Sequence, residues 1–269
     1  MIDRMRLAWC TDVHLDHLRA PAIDSFCQAL TASSPDAIAI TGDISIATML
    51  EPHLTMLAER LSRPIYFVLG NHDFYRGSIP RVRAAVTALC ASNRALSWMG
   101  GVDVVSLSAT TAMVGHDGWA DARVGDWIGS RIFLNDYVLI EELLTEDKAQ
   151  LRVRLEALGD EAAAHLRRVL PQALDRHEHV VVLTHPPPFR EACTFQGKIS
   201  SDDWLPHLCC HAVGDALLEA MAARPHRRMT VLCGHTHGEG AVDVLPNLKV
   251  LTGGAEYGAP RLQRAFDLS

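Results

Sequence analysis

The 269-residue sequence lacks any long hydrophobic run. No apolar stretch reaches the ~18 residues that a membrane-spanning helix needs, and no apolar signal core precedes the first candidate strand. Repeats, low-complexity tracts and Gly/Ser linkers are also absent. None of the seven cysteines forms a CxxC pair, and Cys10 and Cys233 stand inside apolar runs, as reduced thiols do. These absences predict a cytoplasmic protein without a membrane segment or a disulfide framework.

Positive charge is also in short supply. The chain has 25 Lys and Arg residues against 32 Asp and Glu residues, for a formal net charge of -7. This balance argues against a broad basic surface, and it disfavours a nucleic-acid partner without excluding one. Bound divalent cations would concentrate positive charge at one site, which suits a small anionic substrate. The hydrophobic content of 48% is enough for a sizeable core, so residues 1–269 are predicted to form one domain.

Five short apolar runs each stop at residue types that bind metals. The five junctions are Trp9-Cys10 with Asp12 and His14, Ile40-Thr41 with Asp43, Val68-Leu69 with Asn71, Val182-Leu183 with His185, and Leu232-Cys233 with His235 and His237. Short apolar runs bounded by Gly and Pro are typical of strands buried on both faces. Ligands in open α/β sheets bind beyond the carboxyl ends of such strands. If the five strands are neighbours in one sheet, their clusters meet along one edge. Asp, Asn and His without thiolate are the ligands of a hydrolytic two-metal site.

The spacing within these clusters favours shared coordination. Residues two apart on a strand point to the same side, so Asp12 and His14 are expected to face one metal together, as are His235 and His237. The carboxylate of Asp43 has two oxygens and could bridge two cations ~3.5–4 Å apart.

Strands and helices alternate along the chain. Helical spacing of apolar residues predicts helices at 21–32, 48–61, 79–91, 145–158, 160–174 and 213–223, with Gly159 ending one and Asp160 capping the next. Short strands are expected within 96–115, an irregular loop at 116–129, and a terminal hairpin at 240–252. The pattern predicts two packed sheets with helices outside, and a helical insertion at about 130–176.

Taken together, the motifs are similar to those of a known family. Asp12-x-His14, Gly42-Asp43, Gly70-Asn71-His72-Asp73, His185 and Gly234-His235-x-His237 occur in family order and resemble the calcineurin-like metallophosphoesterases. The resemblance implies a four-layer α/β/β/α sandwich of two mixed sheets and hydrolysis of a phosphate ester at a dinuclear metal centre. One metal would be held by Asp12, His14, Asp43 and His237, and the other by Asp43, Asn71, His185 and His235. A mixed oxygen and imidazole shell suits Mn, Fe, Zn or Co.

The resemblance also implies a mechanism. A metal-bridging hydroxide would attack phosphorus in line, without a covalent enzyme intermediate. His72 would protonate or hydrogen-bond the departing oxygen, and Asp73 would orient His72 or raise its proton affinity.

The sequence says less about the substrate. Ile46 stands where many relatives carry an Asp three residues after the bridging Asp, which argues against a phosphoprotein. Arg76, His116 and Arg123 are candidate substrate contacts. Tryptophans in the 116–129 loop could stack on a substrate or simply pack the loop down. A small soluble phosphate mono- or diester is therefore predicted, with a nucleotide among the candidates.

Three alternatives stay open. The fold also occurs in nucleases, and in non-catalytic scaffolds that have lost metal ligands, although every matched ligand is present here. His207 and His211, four residues apart with two cysteines between them, could form a zinc site or lie on a partly buried helix. The sequence makes no prediction of oligomeric state.

Overall fold

A computed structural model describes residues 4–269 of the chain. The first of two large sheets has five strands, numbered here in chain order. Strands β1 (Met5–Cys10), β2 (Ala37–Thr41), β3 (Ile65–Val68) and β4 (Leu96–Trp98) run parallel. The last strand of the chain, β13 (Arg264–Leu268), pairs antiparallel with β1 and closes the edge of this sheet.

The second large sheet has six strands in the order β11-β12-β10-β7-β6-β5. Its parallel core is formed by β6 (Thr111–Gly115), β7 (His179–Leu183), β10 (Arg228–Cys233) and β12 (Leu248–Thr252). Two antiparallel strands, β5 (Val105–Ser106) and β11 (Gly240–Leu245), form its edges. A separate small hairpin pairs β8 (Thr194–Phe195) with β9 (Lys198–Ile199).

Six helices lie outside the strands, and five of them cover the outer faces of the sheets. The six helices are α1 (Ala20–Ala32), α2 (Ala47–Leu61), α3 (Ile79–Ser92), α4 (Asp136–Leu139), α5 (Lys148–Arg176) and α6 (His211–Ala222). Helices α1 to α3 pack on the first sheet, and α5 and α6 pack on the second. The sequence-predicted helices in these regions are confirmed to within a few residues at their ends, except around Gly159.

Successive side chains of each parallel strand point to opposite faces of its sheet, so one set packs against the helices and the other packs between the two sheets. In β1, Ala8 and Cys10 face the helices, whereas Leu7 and Trp9 join a third core between the sheets. Val181 and Leu232 contribute to that third core from the second sheet. Because a buried strand needs apolar residues on both faces, this layering explains the continuous apolar runs of the sequence. The predicted α/β/β/α sandwich of two mixed sheets is confirmed.

The condition that the five apolar runs share one sheet is not met, because β1, β2 and β3 belong to the first sheet and β7 and β10 to the second. One prediction of local structure was wrong. Gly159 does not end a helix, since α5 continues through it for 29 residues in all. A Cβ at Gly159 would lie 2.6 Å from Cβ of Asp121, so the glycine permits a close approach of α5 to the 116–129 loop.

The segment at 130–176 is largely helical, as expected. It contains α4, a short 3-10 helix at Glu141–Leu143 and α5. That it is an insertion into a single domain stays a prediction. Among residues 4–269, every helix is too short or too polar to cross a bilayer, and the cytoplasmic location stays a prediction as well.

Candidate metal centre

The carboxyl ends of the two sheets meet at one point. Beyond β1, β2 and β3 lie Asp12, His14, Asp43 and Asn71, and beyond β7 and β10 lie His185, His235 and His237. A 2.8 Å hydrogen bond from Nδ1 of His185 to the carbonyl oxygen of Thr41 joins the two edges. The structure therefore brings all seven sequence-predicted ligands together, although from two sheets.

Left-handed backbone conformations aim most of these side chains. Five of the seven have positive φ, namely Asp12 (48°), His14 (40°), Asp43 (51°), His235 (71°) and His237 (58°). Such conformations cost non-glycine residues roughly 1–3 kcal/mol each and cluster at functional sites. They also correct the expectation that Asp12 and His14 point to the same side of a strand, because β1 ends at Cys10 and both side chains project from the loop after it.

Two glycines let the backbone approach the centre closely. A Cβ at Gly70 would lie 2.1 Å from Oδ1 of Asp43, and a Cβ at Gly234 would lie 2.1 Å from Oδ2 of Asp12. Both contacts are far below any real carbon–oxygen separation, so no other residue fits at either position without moving a candidate ligand.

The first cluster contains Asp12, His14, Asp43 and His237, with one donor atom of each residue within 4.8 Å of the others. Nε2 of His237 lies 3.2 Å from Nε2 of His14 and 3.4 Å from Oδ1 of Asp12. Burial lowers the pKa of His14 to about 4, so its imidazole is neutral and can donate a lone pair. Three of these residues are almost completely buried, and only His237 is partly exposed. This buried oxygen and nitrogen donor set fits a transition-metal cation.

The second cluster contains Asp43, Asn71, His185 and His235. Nε2 of His185 lies 3.1 Å from Oδ1 of Asn71 and 3.3 Å from Oδ1 of Asp43. The bond from its Nδ1 to Thr41 fixes the tautomer that leaves Nε2 free. Nε2 of His235 instead donates to the carbonyl oxygen of His207 at 2.9 Å, which leaves its Nδ1 free to bind a metal.

Asp43 is common to both clusters. Its Oδ1 faces His185 at 3.3 Å, whereas its Oδ2 faces His14 at 3.8 Å. The backbone N–H of His72 donates to Oδ1 at 2.9 Å and holds the carboxylate in this orientation. Burial opposes ionisation, but the charges of His185 and His72 outweigh it and keep the pKa of Asp43 well below its usual range. An ionised carboxylate with one oxygen toward each cluster fits a bridging ligand.

The electrostatics of the centre favour cations. Burial disfavours a charged His185, yet the nearby Asp43 carboxylate overrides it and raises the pKa of His185 to about 10. The negative potential that holds a proton on this buried imidazole would equally attract a metal ion, which would replace the proton.

Helix α4 supports the second cluster through two adjacent residues. Nδ2 of Asn71 donates to Oδ1 of Asp136 at 2.9 Å, which leaves Oδ1 of Asn71 directed at His185. The hydroxyl of Tyr137 lies 2.5 Å from Nδ1 of His207, whose carbonyl oxygen accepts the bond from His235. Sequence reasoning missed these three supporting residues, because no local pattern links them to the ligands.

His72 lies beside the clusters rather than in them. Its ring stacks on Tyr75 with 4.2 Å between centroids and meets the ring of His14 edge-on at 4.6 Å. Its Nε2 lies 3.4 Å from the hydroxyl of Tyr257, which the sequence did not single out. The Tyr257 ring also covers His14 at 4.5 Å, so one tyrosine spans the first cluster and the candidate acid.

The role predicted for Asp73 needs correction. Its Oδ1 accepts hydrogen bonds from the backbone N–H groups of Ile44 and Ser45, and its Oδ2 accepts one from Gly70. The fully buried carboxylate therefore ties the loops after β2 and β3 together. In the short helix at Asn71–Phe74, this carboxylate accepts a hydrogen bond from the backbone N–H of the N-cap residue Gly70, so its described partners are backbone groups rather than the ring of His72.

The three predicted substrate contacts lie away from the centre. Arg76 is exposed and lines a shallow pocket between α2 and α3. His116 is buried with its ring 5.2 Å from that of His165 on α5. Arg123 is engaged by Asp121 at 3.0 Å and by Asp160 at 2.8 Å. Trp119 and Trp127 of the same loop are buried in the core, so packing rather than stacking explains them.

The proposed zinc pair at His207 and His211 is not assembled. His207 is buried, and its ring nitrogens face Ser130 and Tyr137. His211 starts α6, is exposed and lies 3.6 Å from Asp215 on the same helix. The two histidines therefore face different surroundings, and they do not share the predicted helix either, because His207 ends a short 3-10 helix at Leu205–His207 whereas His211 begins α6.

One large cleft opens onto the centre and has a volume of about 650 Å³. Its floor includes Asp43, Asn71, His72, His235 and His237. Its sides come from the chain around residue 133, from the β8–β9 hairpin and from residues 200–208. Lys198 is the only Lys or Arg among the described residues that line it.

Comparison with known proteins identifies the class to which this fold and centre belong. The profile of the calcineurin-like phosphoesterase family matches residues 5–239, which is most of the chain and includes every candidate ligand. The chain therefore belongs to the calcineurin-like phosphoesterase family, as its motifs predicted.

Individual relatives are similar to this chain over only part of its length or at low sequence identity. Over 89 residues the chain is 38% identical to a UDP-2,3-diacylglucosamine hydrolase of Shewanella loihica, covering 29% of this chain and 37% of that protein. Among solved structures, phosphopantetheinyl hydrolase from Mycobacterium tuberculosis superposes with a TM-score of 0.67 at 15% identity, covering 97% of this chain and 96% of that one. A dimetal phosphatase from Danio rerio gives a TM-score of 0.56 at 15% identity, covering 93% and 87%. These structural likenesses establish the fold.

Proposed function

We propose that the chain is a dinuclear metal-dependent hydrolase of small phosphate mono- or diesters. The observation that carries the proposal is the carboxylate of Asp43, with one oxygen toward His185 and the other toward His14. A buried carboxylate shared between two clusters of imidazole and oxygen donors is the arrangement that two-metal hydrolysis requires.

The residues divide into two metal-binding sets. Asp12, His14, Asp43 and His237 would hold one cation, and Asp43, Asn71, His185 and His235 the other. When bound, the two cations would supply Lewis-acid polarisation of the phosphoryl oxygens and activation of a water. The chain's own contribution is to fix the donors by left-handed loop conformations and by second contacts such as that from His185 to Thr41.

His72 would handle the leaving group. It lines the cleft beside both clusters while donating only its backbone N–H to Asp43. Stacking on Tyr75 fixes the plane of its ring, and Tyr257 lies near its Nε2. A proton held at that nitrogen could pass to the departing oxygen, which is the role of a general acid.

A small-molecule substrate is better supported than a nucleic acid. Of the described residues that line the cleft, Lys198 is the only Lys or Arg, which gives no cationic track for a polynucleotide backbone. The Shewanella relative is named for UDP-2,3-diacylglucosamine, although the chain aligns with only 37% of that protein. Retention of all seven candidate ligands also argues against a scaffold without activity.

The test is hydrolysis of a panel of mono- and diesters by protein reconstituted with Mn, Fe, Zn or Co and assayed for bound metal. We expect turnover that chelation abolishes and added metal restores. His237→Gln should lower both metal content and turnover, whereas His211→Gln, at an exposed histidine on α6, should change neither. Metal-loaded, folded protein that hydrolyses none of the panel would contradict the proposal.

A further inference from the structure

We infer that the cleft above the metal centre binds an alkyl or acyl chain carried by the phosphoester. This inference rests on the proposed function, because it assigns the phosphate to the floor of the cleft and the rest of the substrate to its side. The relevant juxtaposition is an exposed apolar surface formed by Phe133, Phe195, Ile199 and Trp204 beside the candidate ligands Asn71 and His235. We call these four residues the apolar wall.

The apolar wall is unusually exposed. Phe133 is 65% exposed, Phe195 53%, Ile199 51% and Trp204 44%. Of the ten large hydrophobic side chains that are exposed among residues 4–269, these four and Tyr257 line this one cleft. Clustered exposed apolar side chains in a concave site mark a surface that a ligand covers, whereas scattered ones need no explanation.

Three segments build the apolar wall. Phe133 comes from the chain just before α4, Phe195 and Ile199 come from the β8–β9 hairpin, and Trp204 directly precedes the short 3-10 helix at Leu205–His207. A hydrogen bond from the backbone N–H of Ser200 to the carbonyl oxygen of Cys193 closes the base of that hairpin. The wall therefore does not follow from the core packing of one helix or strand, since its parts converge from different places on the same opening.

The side chains of the apolar wall favour a hydrocarbon chain as the bound group. Ile199 and the neighbouring Leu208 add aliphatic surface to the aromatic rings, and within the part of the chain that the structure describes Lys198 is the only Lys or Arg that lines the cleft. A flexible hydrocarbon chain can follow such a mixed surface. The wall is also continuous with the metal-binding floor, so one ligand can place its phosphate below and its chain alongside. A protein partner would instead need a broad, open face.

The experiment uses metal-loaded protein and two parallel series. Binding of non-hydrolysable alkyl phosphonates, from ethyl to octyl, is measured by calorimetry, and turnover of the matching alkyl phosphates is measured separately. A fully buried methylene improves affinity by about fourfold, so even partial contact should make octyl bind at least ~10-fold more tightly than ethyl. Phe195→Ala and Trp204→Ala should each lower the octyl-to-ethyl affinity ratio several-fold. Val153→Ala, at a 65% exposed position on α5 outside the cleft, should leave it unchanged.

The outcomes separate this inference from the proposed function. Chain-length-dependent binding without turnover supports the wall and contradicts the hydrolase. Turnover without chain-length dependence, or an octyl-to-ethyl ratio that survives both wall substitutions, overturns the inference alone. AMP binding is measured by calorimetry on the same variants. Loss of AMP binding in these variants, with octyl phosphonate binding unchanged, would assign the wall to a nucleobase and also overturn the inference.

Discussion

The side-chain amide of Asn71 donates a 2.9 Å hydrogen bond to Oδ1 of Asp136, which also accepts a 2.7 Å bond from the hydroxyl of Tyr75. These contacts fix which end of the amide faces His185. In Asp136→Ala the amide would keep only the longer, 3.2 Å hydrogen bond from its Nδ2 to the hydroxyl of Tyr75, so its orientation would be less firmly fixed. The amide nitrogen cannot bind a metal. Removing such a partner typically lowers metal affinity 10–100-fold. We expect that loss for the second metal equivalent only, measured by metal titration.

The neighbouring Asn135 provides the control for this prediction. It also lines the cleft, but it is exposed and none of the described hydrogen bonds joins its side chain to Asn71. Asn135→Ala should titrate like the wild type. Equal weakening of both metal equivalents in Asp136→Ala would show that Asp136 supports the fold of the site as a whole rather than Asn71.

Loss of His72 should slow hydrolysis according to the leaving group. We expect His72→Ala to retain both metals and to lose ~10²–10⁴ in turnover, as is typical of a missing general acid. Aryl phosphates with acidic phenols should be least affected, because their leaving groups need little protonation, and alkyl esters should be most affected. Turnover across a leaving-group series, with metal analysis in parallel, measures this.

His17 provides the control substitution for the leaving-group series. Its ring lies 4.9 Å from Tyr257, yet it does not line the cleft. His17→Ala should therefore lose less than about threefold for every ester, far below the general-acid effect. A uniform penalty across the series in His72→Ala would mean that His72 only positions the phosphate, and a missing metal would make it a ligand.

His116 should govern acid stability rather than substrate binding. Burial lowers the pKa of His116 to about 4, whereas in the unfolded chain it titrates near ~6.5. Below pH 6.5 the unfolded chain gains a proton that the folded protein does not, so stability present at neutral pH is lost as pH falls toward 4. The shift corresponds to roughly 3 kcal/mol at ~1.4 kcal/mol per pKa unit. His116→Gln should remove this part of the loss.

Urea unfolding between pH 7.5 and 4.5, in chelator so that metal release does not contribute, compares the two proteins. As the pH falls across this interval, the free energy of unfolding should decrease more in wild type than in His116→Gln. The KM of the metal-loaded variant should stay within about twofold of the wild-type value. Parallel stability profiles would exclude the buried imidazole as an acid-sensitive group, and a raised KM would restore the predicted substrate contact.

The position of the candidate ligand set was predictable because its information is local. Each candidate ligand follows an apolar strand within a few residues, and the carboxyl ends of parallel strands meet. Its supports were not predictable, since Asp136 lies 65 residues from Asn71 and Tyr257 lies 185 residues from His72. Adjacency in sequence was misleading for Asp73, whose carboxylate binds backbone N–H groups of two loops instead of its neighbour.

The layers of the fold could also be predicted from the sequence, whereas the assignment of each strand to one of the two sheets could not. Strands buried on both faces look the same whether they lie in one sheet or two. Gly159 looked like a helix end because glycine is favoured there, but its contact with Asp121 depends on tertiary packing.

The central claim is that Asp43 bridges two cations, and metal stoichiometry in Asp43→Asn tests it most directly. Metal content, turnover and circular dichroism should be measured on wild type, Asp43→Asn and Asp215→Asn, the last changing an exposed carboxylate on α6. We predict two metal equivalents and full activity in wild type and Asp215→Asn, and reduced metal content without hydrolysis in a still-folded Asp43→Asn. Two retained metals with near-native turnover in Asp43→Asn would contradict the account.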